Sequence, residues 1–273
     1  MSIINLKPIT PGRRFKSVVD YRCLSKDKKP EKSLLFPLKK TGGRNSAGRL
    51  TMKYIGGGSK KMYRVIDFKR REFPGVQGTV RSIEYDPNRN AFISAVYYEN
   101  GAKRYILTPD NLEVGSKILS GSGIAPEVGN TLPLKEIPTG TFVHNIELNK
   151  GAGGVLVRSA GTSAQITAKE GKYVFVKLPS GKERMVLETC MATVGVVSNK
   201  DAMNCKMGKA GDSIHLGIRP RTRCVAMNPV DHPMGGGEGK ASGGHPRSRK
   251  GFLSKGKKTR KSKRYSNKFL LNR

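Results

Sequence analysis

The residues of this chain whose types and spacing best suit a binding site are glycines that stand next to clusters of Lys and Arg. The first cluster joins the run Gly56, Gly57 and Gly58 to six cations: Lys60, Lys61, Arg64, Lys69, Arg70 and Arg71. Glycine lets backbone amides approach a phosphate closely, because it has no side chain. Lysine acts as a mobile point charge, whereas arginine grips phosphate with two donors or stacks on an exposed base. The cluster predicts contact with folded RNA; a merely solvated basic loop is the alternative.

A second cluster, Arg219-Pro-Arg-Thr-Arg223, offers three guanidinium groups, from Arg219, Arg221 and Arg223. Pro220 holds the local chain extended, so the three side chains project at a defined spacing. Neutralisation of phosphates by several arginines is a dominant source of affinity in RNA complexes. We therefore predict RNA contact here as well, with a patch that serves only solubility as the alternative.

His232 is the residue that a catalytic interpretation would choose. It lies in the segment Met227-Asn-Pro-Val-Asp-His-Pro-Met-Gly-Gly-Gly-Glu-Gly239. Imidazole titrates near neutral pH and could act as a general base in aminoacyl transfer. A base needs an orienting partner, and the nearby acids are only Asp231, adjacent in sequence, and Glu238, beyond the glycines. The prediction is therefore RNA contact without catalysis, through Asn228, His232, Gly235, Gly236 and Gly237.

Other functional sites receive little support from the sequence. The pairs Gly208-Lys209 and Gly239-Lys240 lack the following Ser or Thr of a phosphate loop. The four cysteines contain no Cys-x-x-Cys pair, so reduced structural thiols are expected; a metal site of Cys190, Cys205 and His215 is a weak alternative. We predict no cofactor and no metal. The apolar runs are too short for a membrane-spanning helix, and no leader is expected.

Positive charge is concentrated at the two ends of the chain. Residues 1–71 carry 20 basic and 4 acidic side chains, residues 72–246 carry 20 and 16, and residues 247–273 carry 12 and none. A charge-balanced centre can bury a core, whereas blocks of like charge stay extended until a polyanion neutralises them. We therefore expect a globular centre with two open basic arms. The remaining candidate RNA contacts lie in or near these arms: Arg44, Lys53, Arg247, Arg249, Lys257, Lys258 and Arg260.

Alternating apolar and polar residues predict β-strands across the centre. A first set covers residues 63–68, 76–85, 91–98 and 103–108, with Asn100-Gly101 suited to a type I′ turn. A second set covers 141–148, 154–158, 164–168, 173–178 and 183–187, after a Pro- and Gly-rich joint at 129–140 that suits a domain boundary. Strands with short turns predict a mainly β fold of two small barrels. The pattern equally allows two SH3-like units or one split sandwich, and residues after 199 are expected to be mostly extended.

Motifs in sequence order resemble the bacterial-type family of universal large-subunit ribosomal protein two. They include Lys53-Tyr-Ile-Gly-Gly-Gly-Ser-Lys-Lys61, Ser82-Ile-Glu-Tyr-Asp-Pro-Asn-Arg89, Gly129-Asn-Thr-Leu-Pro-Leu134 and, most specifically, the segment 227–239. Two positions depart from the common family pattern: Met234 and Ser59 stand where many relatives carry histidine. Any mechanism that needs paired imidazoles is therefore in doubt for this chain.

The resemblance implies a structural protein of the large ribosomal subunit. It implies an N-terminal basic extension (1–41), an OB-fold barrel (42–120), an SH3-like barrel (125–199) and an extended Gly-rich and basic tail (200–273). The expected partners are 23S-type ribosomal RNA, other ribosomal proteins, the small subunit at a bridge and nearby tRNA, in the cytoplasmic ribosome, with no membrane and no homo-oligomer. The peptidyl transferase centre would depend on it indirectly.

Two other classes of function remain open from the sequence. A free regulator that binds single-stranded nucleic acid would use a basic barrel face with aromatic platforms, whereas this chain places most of its excess charge at its ends. An acyl-transfer catalyst would depend on His232.

Overall fold

A computed structural model describes residues 3–26, 28–239 and 244–271 in two compact units. The first unit is built from the chain up to Lys39, from Lys60–Lys209 and from Lys268 onward; the second is built from Lys40–Ser59 and Ala210–Asn267. Within the described ranges, no helix is both long and apolar enough to cross a membrane.

Strands dominate the regular structure, which confirms the predicted mainly β class. In chain order they are β1 (Ile3–Asn5), β2 (Ser17–Val19), β3 (Leu35–Pro37), β4 (Met62–Arg64), β5 (Gly78–Glu84), β6 (Ile93–Tyr98), β7 (Lys103–Leu107), β8 (Lys117–Ile118), β9 (Thr131–Pro133), β10 (Phe142–His144), β11 (Ile146–Glu147), β12 (Gly154–Leu156), β13 (Ala164–Glu170), β14 (Tyr173–Lys177), β15 (Glu183–Leu187) and β16 (Met191–Val194). One short α-helix, α1, covers Ala210–His215, and 3₁₀ turns cover Lys32–Leu34, Lys200–Asn204, Cys224–Ala226 and Tyr265–Phe269.

The first sheet has the antiparallel order β7-β6-β5-β8, as the predicted meander requires. Alternate residues of β6 enter different cores: Val96 packs with Val80 and Phe92, whereas Ile93 packs with Tyr105. Both faces of this sheet are therefore covered. For this reason β6 is buried at nearly every position, whereas a simple alternating pattern predicts that one face of the strand is exposed to solvent.

The second sheet has the order β15-β14-β13-β10-β16-β9 and encloses a single apolar core. Leu132, Leu134 and Ile137 are fully buried in this core. The Pro- and Gly-rich joint predicted at 129–140 therefore contains β9 and part of the second core. Its prolines and glycines shape tight turns inside the barrel instead of a linker.

Two local predictions need correction. The Asn100-Gly101 turn is not type I′, because Gly101 alone of the two has a positive φ, and the amide of Gly101 donates to the Tyr98 carbonyl. This is the pattern of a three-residue loop with a glycine bulge. The strand predicted over 141–148 is broken into β10 and β11 at Asn145, which adopts the left-handed conformation that asparagine tolerates better than most residues.

The N-terminal segment is not an open arm where it is described. β1 pairs with β2, Val19 packs into the core beneath the first sheet, and the Glu31 amide donates to the buried Tyr105 hydroxyl. The C-terminal end differs from the prediction in the same way. The Leu271 amide donates to the Glu183 carbonyl, so the end of the chain covers the edge strand β15.

The loop between β11 and β12 is organised by one buried carboxylate. Glu147 is only 1% exposed and accepts hydrogen bonds from the amides of Gly151 (3.3 Å), Gly153 (3.1 Å) and Met191 (3.1 Å). The Ala152 amide donates to the Asn149 carbonyl at 3.1 Å, so this glycine-rich loop contains a tight turn. A side chain from the core, however, completes the turn.

His144 makes the stability of the fold dependent on pH. Burial lowers its pKa to about 4 from the ordinary value of 6.5, and the neutral ring bonds through Nδ1 to the Gly195 carbonyl. As the pH falls from 6.5 to 4, the unfolded chain takes up a proton that the folded chain does not. We therefore expect the free energy of unfolding to fall by up to about 3 kcal/mol over this range and to be unaffected by this group above it.

The measurement is denaturant unfolding between pH 7 and pH 4, with His144→Asn as the control. Asparagine keeps an amide donor near the position of Nδ1 but does not titrate. An equally steep pH dependence in the variant would contradict the assignment to His144.

Candidate nucleic-acid interface

The segment 227–237 forms a hook in the second unit. The Gly236 amide donates to the Met227 carbonyl at 2.9 Å, and the Gly235 amide donates to the His232 carbonyl at 2.9 Å. A Cβ at Gly235 would collide with backbone oxygens of Met227 and Asn228, and Gly236 has a φ of +92°, which disfavours side chains. The glycine run is thus required by the tight folding of the hook onto itself.

His232 is buried at the base of this hook, with 5% of its surface exposed. Its Nδ1 accepts a hydrogen bond from the Met234 amide at 3.1 Å. A neutral imidazole that accepts at Nδ1 carries its proton on Nε2, so its other nitrogen is a donor and not a base. The geometry therefore leaves Nε2 as a hydrogen-bond donor and does not suit proton abstraction.

An open cleft of about 430 Å³ lies beside the hook, within the same unit. It brings together four of the predicted contact residues: Lys53, Arg221, Arg249 and His232. The Arg221 guanidinium lies 5.6 Å from the ring centroid of Tyr54, which adds an aromatic face to the cationic wall. Cations beside an aromatic ring suit an RNA strand with exposed bases.

The Gly56–Gly58 run is held beside the arginine cluster, because an antiparallel β-bridge between Ile55 and Ile218 joins the two segments. The Gly56 amide is engaged by the Gly217 carbonyl at 3.1 Å. No described residue accepts a bond from the amides of Gly57 and Gly58, so these two are the ones available to a phosphate. Arg219, Arg221 and Arg223 are exposed along the same surface.

Gly235→Ala is expected to open the hook. The added Cβ has no space between the two backbone oxygens, so the bond from the Gly236 amide to Met227 should break. Hydrogen–deuterium exchange should show an increase of about tenfold or more at the Gly236 amide. Gly12→Ala is the control, because Gly12, like Gly235, has no positive φ and a Cβ there would come no closer than 3.4 Å to another atom. Unchanged exchange in Gly235→Ala would refute the packing argument.

The other cations of the first cluster lie in the first unit. Lys60 and Lys69 are exposed, Lys61 is half-buried, and Arg64 on β4 donates to the Met62 carbonyl at 3.1 Å. Asp67 shapes the turn that follows β4: its carboxylate accepts the amides of Lys69 (3.0 Å) and Arg70 (2.8 Å). This turn directs Arg70 inward, where only 3% of it is exposed.

Arg70 and Arg71 line a second open cleft, of about 360 Å³, in the first unit. Lys135 and Lys150 complete its cationic wall, and the lining contains no carboxylate. Arg70 Nη2 lies 3.4 Å from the Gly129 carbonyl, and its buried Nε has no partner among the described residues. Four cations and no lining carboxylate make this cleft suited to an anionic strand. Sequence reasoning missed Lys135 and Lys150, since both stand alone among ordinary strand and turn residues.

The remaining predicted contacts are spread over the second unit. Arg44 is exposed and donates to the Gly42 carbonyl at 2.6 Å, while Arg247 pairs with Leu253 in a small hairpin. Lys257 and Lys258 are exposed, and Arg260 is held by the Asn267 side chain at 2.6 Å. These residues are presented on ordered turns, but the structure does not gather them into the hook cleft.

Relatives named large ribosomal subunit protein uL2 align with this chain along its whole length. The relative from Amoebophilus asiaticus is 59% identical over 273 residues, covering 100% of this chain and 99% of the relative. Those from Christiangramia forsetii and Bacteroides thetaiotaomicron are 59% and 55% identical, each covering 100% of this chain and 98% and 99% of the relative. The chain belongs to the ribosomal protein L2 family.

Two family profiles match this chain, and each covers one of its two sets of strands. Residues 31–120 match "Ribosomal Proteins L2, RNA binding N-terminal domain", and residues 127–251 match "Ribosomal Proteins L2, C-terminal domain". The resemblance drawn from the motifs is therefore confirmed, together with the OB-like and SH3-like fold class and the structural, RNA-binding ribosomal role. Membership of the L2 family indicates a structural rather than an enzymatic part in translation.

Proposed function

We propose that this chain is a structural constituent of the large ribosomal subunit that binds large-subunit ribosomal RNA. The observation that carries the proposal is the cleft of Arg70, Arg71, Lys135 and Lys150, because it holds four cations and no carboxylate. Excess cationic charge in a shaped cleft is the electrostatic complement of a folded phosphate backbone. The family assignment supports the same conclusion.

The proposal also covers the domain boundaries of the chain and its neighbours in the ribosome. We assign the N-terminal extension to residues 1–41, the OB-fold barrel to 42–120, the SH3-like barrel to 125–199 and the tail to 200–273. The hook, with His232 donating from Nε2, holds RNA geometry near the peptidyl transferase centre. In the cytoplasmic ribosome the chain also lies near other ribosomal proteins, the small subunit at a bridge, and tRNA, and so supports subunit association and tRNA placement.

The first test is sedimentation of the tagged protein from its native cells through sucrose gradients after high-salt washing. Stable comigration with the large subunit, with crosslinks to its main RNA, is the expected result. Release into light fractions with varied short RNAs would instead favour a free regulator of single-stranded nucleic acid.

The role of the hook needs two variants in assembled particles. A chain without residues 225–245 should give particles that are defective in subunit joining or tRNA placement, and full activity would refute the hook's role. His232→Gln should retain peptide-bond formation, because glutamine can still donate a hydrogen bond; loss of the chemical step would favour catalysis by the imidazole.

A further inference from the structure

The loop between β1 and β2, residues 7–16, is an ordered projection of the first unit. Its base is closed by the Leu6 amide, which donates to the Lys16 carbonyl at 3.1 Å, and the Arg13 amide donates to the Thr10 carbonyl at 3.0 Å. The strand below is fixed as well, since the Lys206 amide donates to the Ser17 hydroxyl at 2.8 Å. This N-terminal loop thus has a defined shape before it meets a partner.

The surface of the N-terminal loop combines apolar and cationic groups. Phe15 is 72% exposed and Ile9 is 71% exposed, so both side chains are accessible to a partner. The loop also carries four cations and no acid: Lys7, Arg13, Arg14 and Lys16. The guanidinium of Arg14 lies 5.8 Å from the centroid of the Phe15 ring.

We propose that the N-terminal loop is a base-stacking site, in which an unpaired base of ribosomal RNA stacks on Phe15. Arg13 and Arg14 neutralise the phosphates on either side of that base. An exposed ring flanked by arginine is the arrangement that binds single-stranded nucleic acid, because every base has a face that can stack. A protein partner would bury the ring equally well, but it would need a matching acidic surface, so the charge of the loop favours RNA.

This inference rests on the proposed function and extends it to a new part of the chain. The loop lies outside the RNA-binding match at residues 31–120. It belongs to the basic N-terminal end of the chain, but none of its residues is among those that the sequence predicted to contact RNA. Its aromatic contact differs in kind from the phosphate contacts expected in the cleft of Arg70 and Arg71.

The binding test uses the full chain and deproteinised large-subunit RNA from the native cells, at several salt concentrations. Phe15→Leu should weaken binding roughly tenfold without changing the salt dependence, because it removes a stacking face and no charge, and Phe15→Tyr should restore it. Arg13→Gln with Arg14→Gln should instead lower the slope of log affinity against log salt by about two. Affinity of Phe15→Leu within twofold of the unchanged chain would overturn the stacking site.

Photocrosslinking in purified large subunits separates this inference from the proposed function. Ultraviolet irradiation should give a nucleotide adduct on the peptide that contains Phe15, and the adduct should disappear in Phe15→Leu. Phe142→Leu is the control, since Phe142 on β10 is 50% exposed and has no cation next to it in the sequence. If the chain sediments with the subunit but Phe15 crosslinks only to protein, the stacking site is wrong and the proposed function stands. If the chain is absent from the subunit, both fail.

Discussion

Reversing the charges of Lys135 and Lys150 together is expected to weaken binding to large-subunit ribosomal RNA roughly a hundredfold at low salt. Both side chains are exposed and line the acid-free cleft with Arg70 and Arg71. Lys135→Glu with Lys150→Glu replaces two attractions for phosphate by two repulsions. It also places carboxylates beside buried Arg70, whose Nε has no partner in the part of the chain that the structure describes. Binding should be measured by filter retention or fluorescence anisotropy over a range of salt concentrations.

The control is Lys172→Glu with Lys182→Glu, which changes the net charge equally at exposed positions outside that cleft. Comparable losses in the two double variants would mean that the cleft acts only through the net charge of the protein. Unfolding curves should be similar for the variants, because exposed charges of this kind contribute little to stability. A loss of RNA affinity in the cleft variant alone would show that the RNA backbone binds in this cleft of the first unit.

Glu147→Ala should lower the free energy of unfolding by about 4 kcal/mol. The carboxylate accepts three backbone amides, and its removal leaves these donors unsatisfied beside the core of the second sheet. The alanine also leaves space at a fully buried position. Urea unfolding followed by circular dichroism measures the change.

Glu147→Gln separates hydrogen bonding from packing. Glutamine fills the same volume but offers only one acceptor oxygen to the three backbone amides. Its own NH₂ group would face one or more of these N–H groups and could not bond to them. We therefore expect an intermediate loss of about 2 kcal/mol. Glu170→Gln, at the exposed end of β13, should change stability by less than about 0.5 kcal/mol. A loss in Glu147→Ala no larger than in Glu170→Gln would show that the loop is not held by this carboxylate.

Much of the fold could be predicted from local patterns. The meander of β5, β6 and β7 followed from alternating residues with turns between them, and the same holds for β13, β14 and β15. Local patterns failed where a contact from elsewhere in the chain changed their meaning. The Pro- and Gly-rich joint was one such place, because Leu132 and Ile137 are buried by strands that follow much later in the sequence.

The residues of the candidate interface, too, could be predicted from the sequence only in part. The glycine run of the hook and the clusters around residues 56–71 and 219–223 were visible in the sequence, because runs of one residue type are local features. Lys135, Lys150 and Phe15 were not, since each is an ordinary residue until the fold places it beside other cations or leaves it uncovered.

The amino-acid sequence by itself determined the class of partner, the mainly β class and the family, because net charge, alternation and characteristic motifs do not depend on long-range contacts. Only the tertiary structure decided which amides are already engaged, which imidazole nitrogen can donate, and which cations share a cleft. Burial, hydrogen-bond satisfaction and the distance between charges arise when segments far apart in sequence pack together. For that reason the acid-free cleft, the Glu147 loop and the exposed Phe15 could be found only in the folded chain.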